Sequence, residues 1–203
     1  MVWKKIKKLS GKFIPEPLPV LKINNKLVSS PNEVANILGK HFANVSSAAN
    51  HPSHFGSIQD AHITIDLRTN NKEPYNAKFS LKELKDALSS TEVSAPGEDT
   101  ILYEMLKHLP EHAKIYLLKI VNKIWETGIL PRDWKIAIVI PIKKPNKDPC
   151  QAISYRPISL TSCMCKLMEK MVNTRLVWYL ETNELLSPWQ FGFRRNRSTL
   201  DLY

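Results

Sequence analysis

Apolar residues along this chain follow two rhythms. Val34, Ile37, Leu38, His41, Phe42 and Val45 recur every three or four positions and define one face of a helix. Ser30-Pro31-Asn32-Glu33 sets its start, with Ser30 as cap, Pro31 in the first turn and Glu33 completing a capping box, so a helix is expected over 31–47. The same logic places a helix from Ser80 to about Leu88, where Ser80 pairs with Glu83 and Phe79 staples onto Leu84. Ile101, Leu102, Met105, Leu106 and Leu109 predict a short helix ending at Pro110. Leu117, Ile120, Val121, Ile124 and Trp125 predict a longer one, closed by a left-handed Gly128. Thr161 or Ser162 caps a final helix with an apolar face of Met164, Leu167, Met168, Met171, Val172, Leu176, Tyr179 and Leu180.

The second rhythm is continuous. Ile136-Ala137-Ile138-Val139-Ile140 has no polar alternation, which suits a strand covered on both faces. Pro141 cannot donate to a ladder, so the strand is an edge or stops there. Lys143, Lys144, Pro145, Asn146, Lys147 and Asp148 form a basic turn, and Pro157 drives Arg156 into an extended conformation. Tyr155 to Leu160 therefore returns as the antiparallel partner. Ser94-Ala95-Pro96-Gly97 is a turn. Residues 1–30 hold seven lysines against the single acid Glu16, with Pro15, Pro17 and Pro19 resisting regular structure, and are expected to be a basic arm. Residues 31–78 are a linker region with one helix, the stretch from Asn50 to Asn76 being loop with at most a short strand at Ile63 to Leu67. Residues 79–203 form the main domain. The expected fold class is α+β, mainly helical with a small antiparallel β-hairpin.

Charge changes the picture most. With 29 Lys+Arg against 19 Asp+Glu the chain carries a formal +10, which biases encounter toward polyanions such as nucleic acid, although solvated lysines alone produce the same balance. Cys150, Cys163 and Cys165 are odd in number and include no CxxC pair; Cys163 and Cys165, two apart on a helix, point to different faces. Reduced thiols without a zinc site are expected. The histidines His51, His54 and His62 lack partners at metal-site spacing, and His41 is a packing residue. MVWKKIKKL is basic and amphipathic but has no signal-peptide core, and no apolar run approaches the roughly 20 residues of a spanning helix. A soluble, intracellular chain with no membrane partner is expected, nucleus and cytoplasm being left open.

The C-terminal segment SPWQFGFRRNRSTLDLY alternates Trp189, Phe191 and Phe193 with Arg194, Arg195 and Arg197, and Ser198 with Asp201 opens another helix. With these blocks in view, the order LKELKDAL, SAPGED, GILPRDWKIAIVIPIKK, YRPISLTSCMCKLMEKMVNTRL and QFGFRRNRST resembles the first half of the reverse transcriptase domain of non-LTR, LINE-type, jockey-like retrotransposons. The resemblance is strong after residue 79 and extends weakly over the earlier part of the chain. Thr100 stands where that family usually has glycine.

The resemblance implies the fingers portion, and the start of the palm, of a right-hand polymerase whose palm is incomplete here. The IAIVIPIKK and YRPISL strands would form a hairpin leaning over the incoming nucleotide and template. Arg156, Lys143 and Lys144 are then the nucleotide-side candidates, because a triphosphate and a phosphate backbone need cations. Gln190, Phe191, Gly192, Arg194, Arg195 and Arg197 are the template and primer candidates, Gly192 permitting close backbone approach. Each has a plainer reading: Arg156 paired with a nearby carboxylate, Lys143 and Lys144 in a solvated turn, Phe191 and Phe193 in a core. The implied partners are an RNA template, a DNA primer and a deoxynucleoside triphosphate, with Mg²⁺ in the full-length enzyme. The catalytic Asp motifs that hold two metal ions are expected beyond Tyr203. Glu98, Asp99 and Asp201 are read as caps rather than metal ligands. No catalytic or metal-binding residue is therefore assigned, no metal is expected on this chain, and the chain alone is expected to be inactive. Two other classes stay open: a non-catalytic basic nucleic-acid-binding module, and a helical interaction protein.

Overall fold

A computed structural model describes residues 19–50, 52, 73–194, 197 and 198. It is α+β, with helices and two small antiparallel two-stranded sheets, in two compact units. Among the described residues the first unit comprises the lead-in up to Pro52 and Val139–Ile158; the second comprises residues 73–138 and the residues from Ser159 onward.

In the first unit, β1 (Leu21–Ile23) and β2 (Lys26–Val28) pair antiparallel, with Ile23 opposite Lys26. The two loop residues Asn24 and Asn25 have φ of 48° and 64°, the left-handed pair that a tight hairpin turn demands and that asparagine tolerates. A hairpin thus stands in a stretch whose lysines and prolines suggest an arm. Helix α1 (Pro31–Val45) follows; its Ser30 side chain makes no cap bond. The expected capping box at Ser30 is absent: proline at the first position supplies a preset φ, and the ladder begins at the backbone, Val34 N–H donating to Ser30 C=O. Leu21, Val34, Leu38 and Tyr155 are buried together, with Ile37, Phe42 and Ala152 packed around them.

Strands β3 (Ile138–Lys143) and β4 (Tyr155–Leu160) form the second sheet. The expectation that β3 is covered on both faces is wrong: Ile138, Val139, Ile140 and Ile142 are 37–49% exposed. β-Branched side chains stiffen extended backbone whether or not they are buried, so the run encodes strand conformation rather than a sandwiched position. Pro141 sits inside β3, which a two-stranded sheet allows because each strand keeps a free edge.

The second unit holds α2 (Leu81–Ser89), α3 (Tyr103–Lys107), α4 (Glu111–Thr127) and α5 (Cys163–Thr182) around one core that includes Phe79, Leu84, Leu106, Val121, Trp134, Leu167 and Met171. Ser80 and Glu83 form the expected capping box, Gly128 closes α4 at φ 67°, and Ser162 caps α5 by accepting from Met164 and Cys165 N–H. Cys163 and Cys165 are both buried in the core of this unit, with Cys163 Sγ 4.0 Å from Ala95 C=O. Gly97 is fixed by space: a Cβ there would lie 2.6 Å from Ser162 N and 2.8 Å from Thr161 C.

Candidate nucleic-acid interface

The hairpin β3–β4 carries three of the expected site residues. Arg156 follows the buried Tyr155 on β4, and alternation along a strand turns its side chain to the opposite face, where it is exposed. Its guanidinium has no hydrogen-bond or ion-pair partner among the described residues, so the plainer reading of Arg156 as half of an ion pair is not seen. Lys143 is likewise exposed and unpaired among the described residues. Lys144 differs: its N–H donates to Ser154 C=O at 2.8 Å and its ammonium to Ile153 C=O at 2.8 Å, closing the base of the connecting loop. That loop is held internally. Asp148 accepts from Cys150 N–H and the Gln151 side-chain amide, Tyr155 O–H donates to Pro149 C=O at 2.7 Å, and Cys150 C=O accepts from Lys22 N–H of β1 at 2.7 Å.

The C-terminal candidates lie in the second unit. Arg194 is committed internally: Nε donates to Glu181 Oε1 at 2.9 Å, Nη2 to Glu181 Oε2, and Nη1 to Ser187 C=O at 3.0 Å, leaving its side chain 9% exposed. The hydrogen bonds from Arg194 hold the Glu181 carboxyl below its usual range. Gln190 is exposed, its N–H donating to Ser187 C=O. Gly192 has open space around it, so closeness to other protein groups does not require a glycine there. Arg197 lies over the Phe191 ring at 5.8 Å from the centroid, at the outer range of a cation–π contact. Phe193 is fully exposed at a φ of 62°, and Trp189 is largely exposed. Arg195 and Asp201, with the helix start expected at Ser198, lie outside or at the margin of the described residues.

One arginine that sequence reasoning passed over is Arg175. Its Nε and Nη2 grip both oxygens of Glu83, Nη1 donates to Tyr75 and Ala77 C=O, Nη2 also to Lys78 C=O, and its Cζ lies over the Phe79 ring 4.0 Å from the centroid. The signal was present, since Arg175 falls four residues after Met171 and four before Tyr179, on the apolar stripe of α5. A cation at a core position is expected to have a dedicated partner. Asp99 accepts from Ile101 N–H at 3.1 Å and so holds the turn, not the expected cap: α3 starts after Leu102, whose side chain makes no cap bond. No group of three His, Cys, Asp or Glu side chains among the described residues is placed to hold a metal ion. No helix among them is long and apolar enough to cross a membrane.

Residues 142–202 match the family described as reverse transcriptase (RNA-dependent DNA polymerase). The chain is 37% identical over 122 residues to a probable RNA-directed DNA polymerase from transposon BS of Drosophila melanogaster, covering 60% of this chain and 14% of that protein. It is 34% identical over 121 residues to the RNA-directed DNA polymerase from mobile element jockey of the same fly, covering 59% and 13%. It is 30% identical over 149 residues to a retrovirus-related Pol polyprotein from the type-1 retrotransposable element R1 of Bradysia coprophila, covering 72% and 15%. The chain therefore spans about one seventh of the length of these relatives.

Proposed function

This chain carries part of the reverse transcriptase domain of a non-LTR retrotransposon, and from that premise we propose that its β3–β4 hairpin is the fingers element of a right-hand polymerase that covers nucleotide and template. The observation that carries this reading is the state of Arg156 and Lys143. Both lie in the family-matched segment, on a two-stranded sheet that leaves them exposed, and neither has a partner among the described residues. Unpaired cations on a stiff extended backbone are suited to phosphate, since no internal carboxylate has to be displaced before they bind it. Lys144 holds the loop and contributes charge. Gln190, Phe191, Gly192, Arg195 and Arg197 are proposed to face template and primer, with Arg194 holding the bend that presents them.

In this reading an RNA template, a DNA primer and a deoxynucleoside triphosphate are the partners. Nucleotidyl transfer uses two divalent ions held by carboxylates, which activate the primer hydroxyl and stabilise the leaving pyrophosphate. The described residues do not fit such a pair of ions, so the role proposed for this stretch is binding and orientation. The chain alone is expected to incorporate no nucleotide on primed RNA with Mg²⁺ or Mn²⁺. The test of the binding role is a salt titration with labelled single-stranded RNA. Affinity should fall steeply with salt, and Arg156→Ala with Lys143→Ala should flatten the slope by about 1.4, roughly 0.7 for each phosphate of a single strand that is no longer neutralised. An unchanged slope would remove the hairpin from the interface.

A further inference from the structure

The first unit contains a cleft of about 600 Å³, within the size range of ligand sites, with Lys22, Asn24, Asn25, His41, Asp148 and Gln151 as its polar lining and Ala152 and Ile153 as its apolar wall. It is assembled from three places in the sequence: the β1–β2 turn, helix α1, and the loop between β3 and β4. The Lys22 N–H to Cys150 C=O bond ties the first to the third. The Lys22 ammonium, the carboxamides of Asn24 and Asn25 and the His41 imidazole have no hydrogen-bond partner among the described residues. Gln151 donates its amide to Asp148, which leaves its side-chain carbonyl available. Asp148 already accepts two hydrogen bonds, so it is a fixed negative edge with lone pairs to spare.

The lining thus offers one cation, one acceptor-only anion, amides that both donate and accept, and a flat ring. A bare phosphate would face the Asp148 carboxylate; a neutral sugar would leave the cation unused. A unit with an anion at one end, hydroxyls in the middle and a planar heterocycle uses all of them. We infer that this cleft binds one ribonucleotide unit, with phosphate toward Lys22, ribose hydroxyls toward Asp148 and the Asn24–Asn25 amides, and base against His41. The 2′-hydroxyl, both donor and acceptor, is what such a site distinguishes. Binding of an RNA strand here rests on the nucleic-acid reading above; binding of a free ribonucleotide does not.

The test uses the whole chain and the variant Lys22→Gln, Asn24→Gly, Asn25→Gly. Glycine accepts the positive φ of both turn positions, so the hairpin is kept while the amides are removed. The probes are uridine 5′-monophosphate and its 2′-deoxy counterpart in a thermal-shift assay, and a labelled 12-mer as RNA and as DNA in anisotropy. The unsubstituted chain should bind the ribo probe of each pair more tightly. The variant should lose about ten-fold on the ribo probes, equivalent to one or two hydrogen bonds, and bind ribo and deoxy probes alike. Ribo affinity unchanged within two-fold, or an equal loss on ribo and deoxy probes, overturns the cleft. Binding of the mononucleotide without binding of either 12-mer leaves the cleft standing and overturns the nucleic-acid reading instead. Strand binding that the variant does not alter does the reverse.

Discussion

The two units treat positive charge in opposite ways. In the helical unit the cations near the core are occupied. Arg175 holds Glu83 and three backbone carbonyls, Lys107 donates to Thr91 C=O, Lys166 to Ala95 C=O, Lys170 to Ser90 C=O, and Arg194 grips Glu181. These side chains fasten loops that have no ladder of their own, supplying donors to carbonyls that would otherwise be left unsatisfied. In the hairpin unit Lys22, Lys143 and Arg156 have no such employment among the described residues. The unit with the small core, built on Leu21, Val34, Leu38 and Tyr155, thus leaves Lys22, Lys143 and Arg156 open to a ligand while Lys144 closes its own loop. A net charge of +10 therefore says little about binding until each cation's partner is known.

The sharpest way to break this contrast is at Arg175. Arg175→Ala leaves the Glu83 carboxylate and three carbonyls without their donor and should cost about 3 kcal/mol in urea unfolding. Arg175→Lys should recover little, because an ammonium cannot reproduce the planar fork. The pair also predicts an acid limb. Burial alone raises the Glu83 pKa, but the hydrogen bonds from Arg175 and Ser80 outweigh it and the net shift is downward from 4.5. A carboxyl depressed in the folded state contributes stability above its unfolded pKa and loses it as pH falls from about 4.5 through the lower folded value. Stability measured across that window should decline in the parent and decline less in Arg175→Ala.

Gly97→Ala comes next. The added methyl meets backbone atoms of Thr161 and Ser162, which cannot rotate away, so a loss of about 1–3 kcal/mol is expected together with a displaced α5 N-terminus. The smallest effect runs the other way. Thr100 has a φ of 58°, a left-handed conformation that costs a β-branched residue strain, so Thr100→Gly should stabilise by about 1 kcal/mol in the same unfolding assay. The thiols separate the units chemically. Cys163 and Cys165 are buried, and burial followed by the neighbouring Glu169 pushes Cys165 up to about 11. At pH 8 the half-buried Cys150 should react with iodoacetamide first, the other two only on unfolding.

What could be read from the chain follows the range of the interactions. The Ser80–Glu83 box, the Gly128 stop and the Ser162 cap are completed within a few residues, and each stands where the pattern puts it. The hairpin was legible because Pro157 and the Ile/Val run constrain backbone directly. Its exposure was not, because β-branched residues mark strands in either environment. The glycine place filled by Thr100 was visible, yet only the φ shows that the turn keeps a glycine-like conformation. Arg194 and Arg156 look alike in the sequence. Glu181 distinguishes them, and it lies thirteen residues away on a helix whose end had to be placed first. The cleft at Lys22 was invisible, since it requires a hairpin within an apparent arm to bond with a loop 128 residues later.

The most direct measurement compares Arg156→Ala with Arg194→Ala for salt-dependent binding of single-stranded RNA and for stability in urea. Arg156→Ala should leave unfolding within about 0.5 kcal/mol of the parent while weakening RNA binding and lowering its salt slope by about 0.7. Arg194→Ala should lower stability by more than Arg156→Ala does and change the salt slope by less, since Arg194 is spent on Glu181 and meets no phosphate itself. RNA affinity and slope that ignore Arg156 but follow Arg194 would contradict the division of labour between the two units.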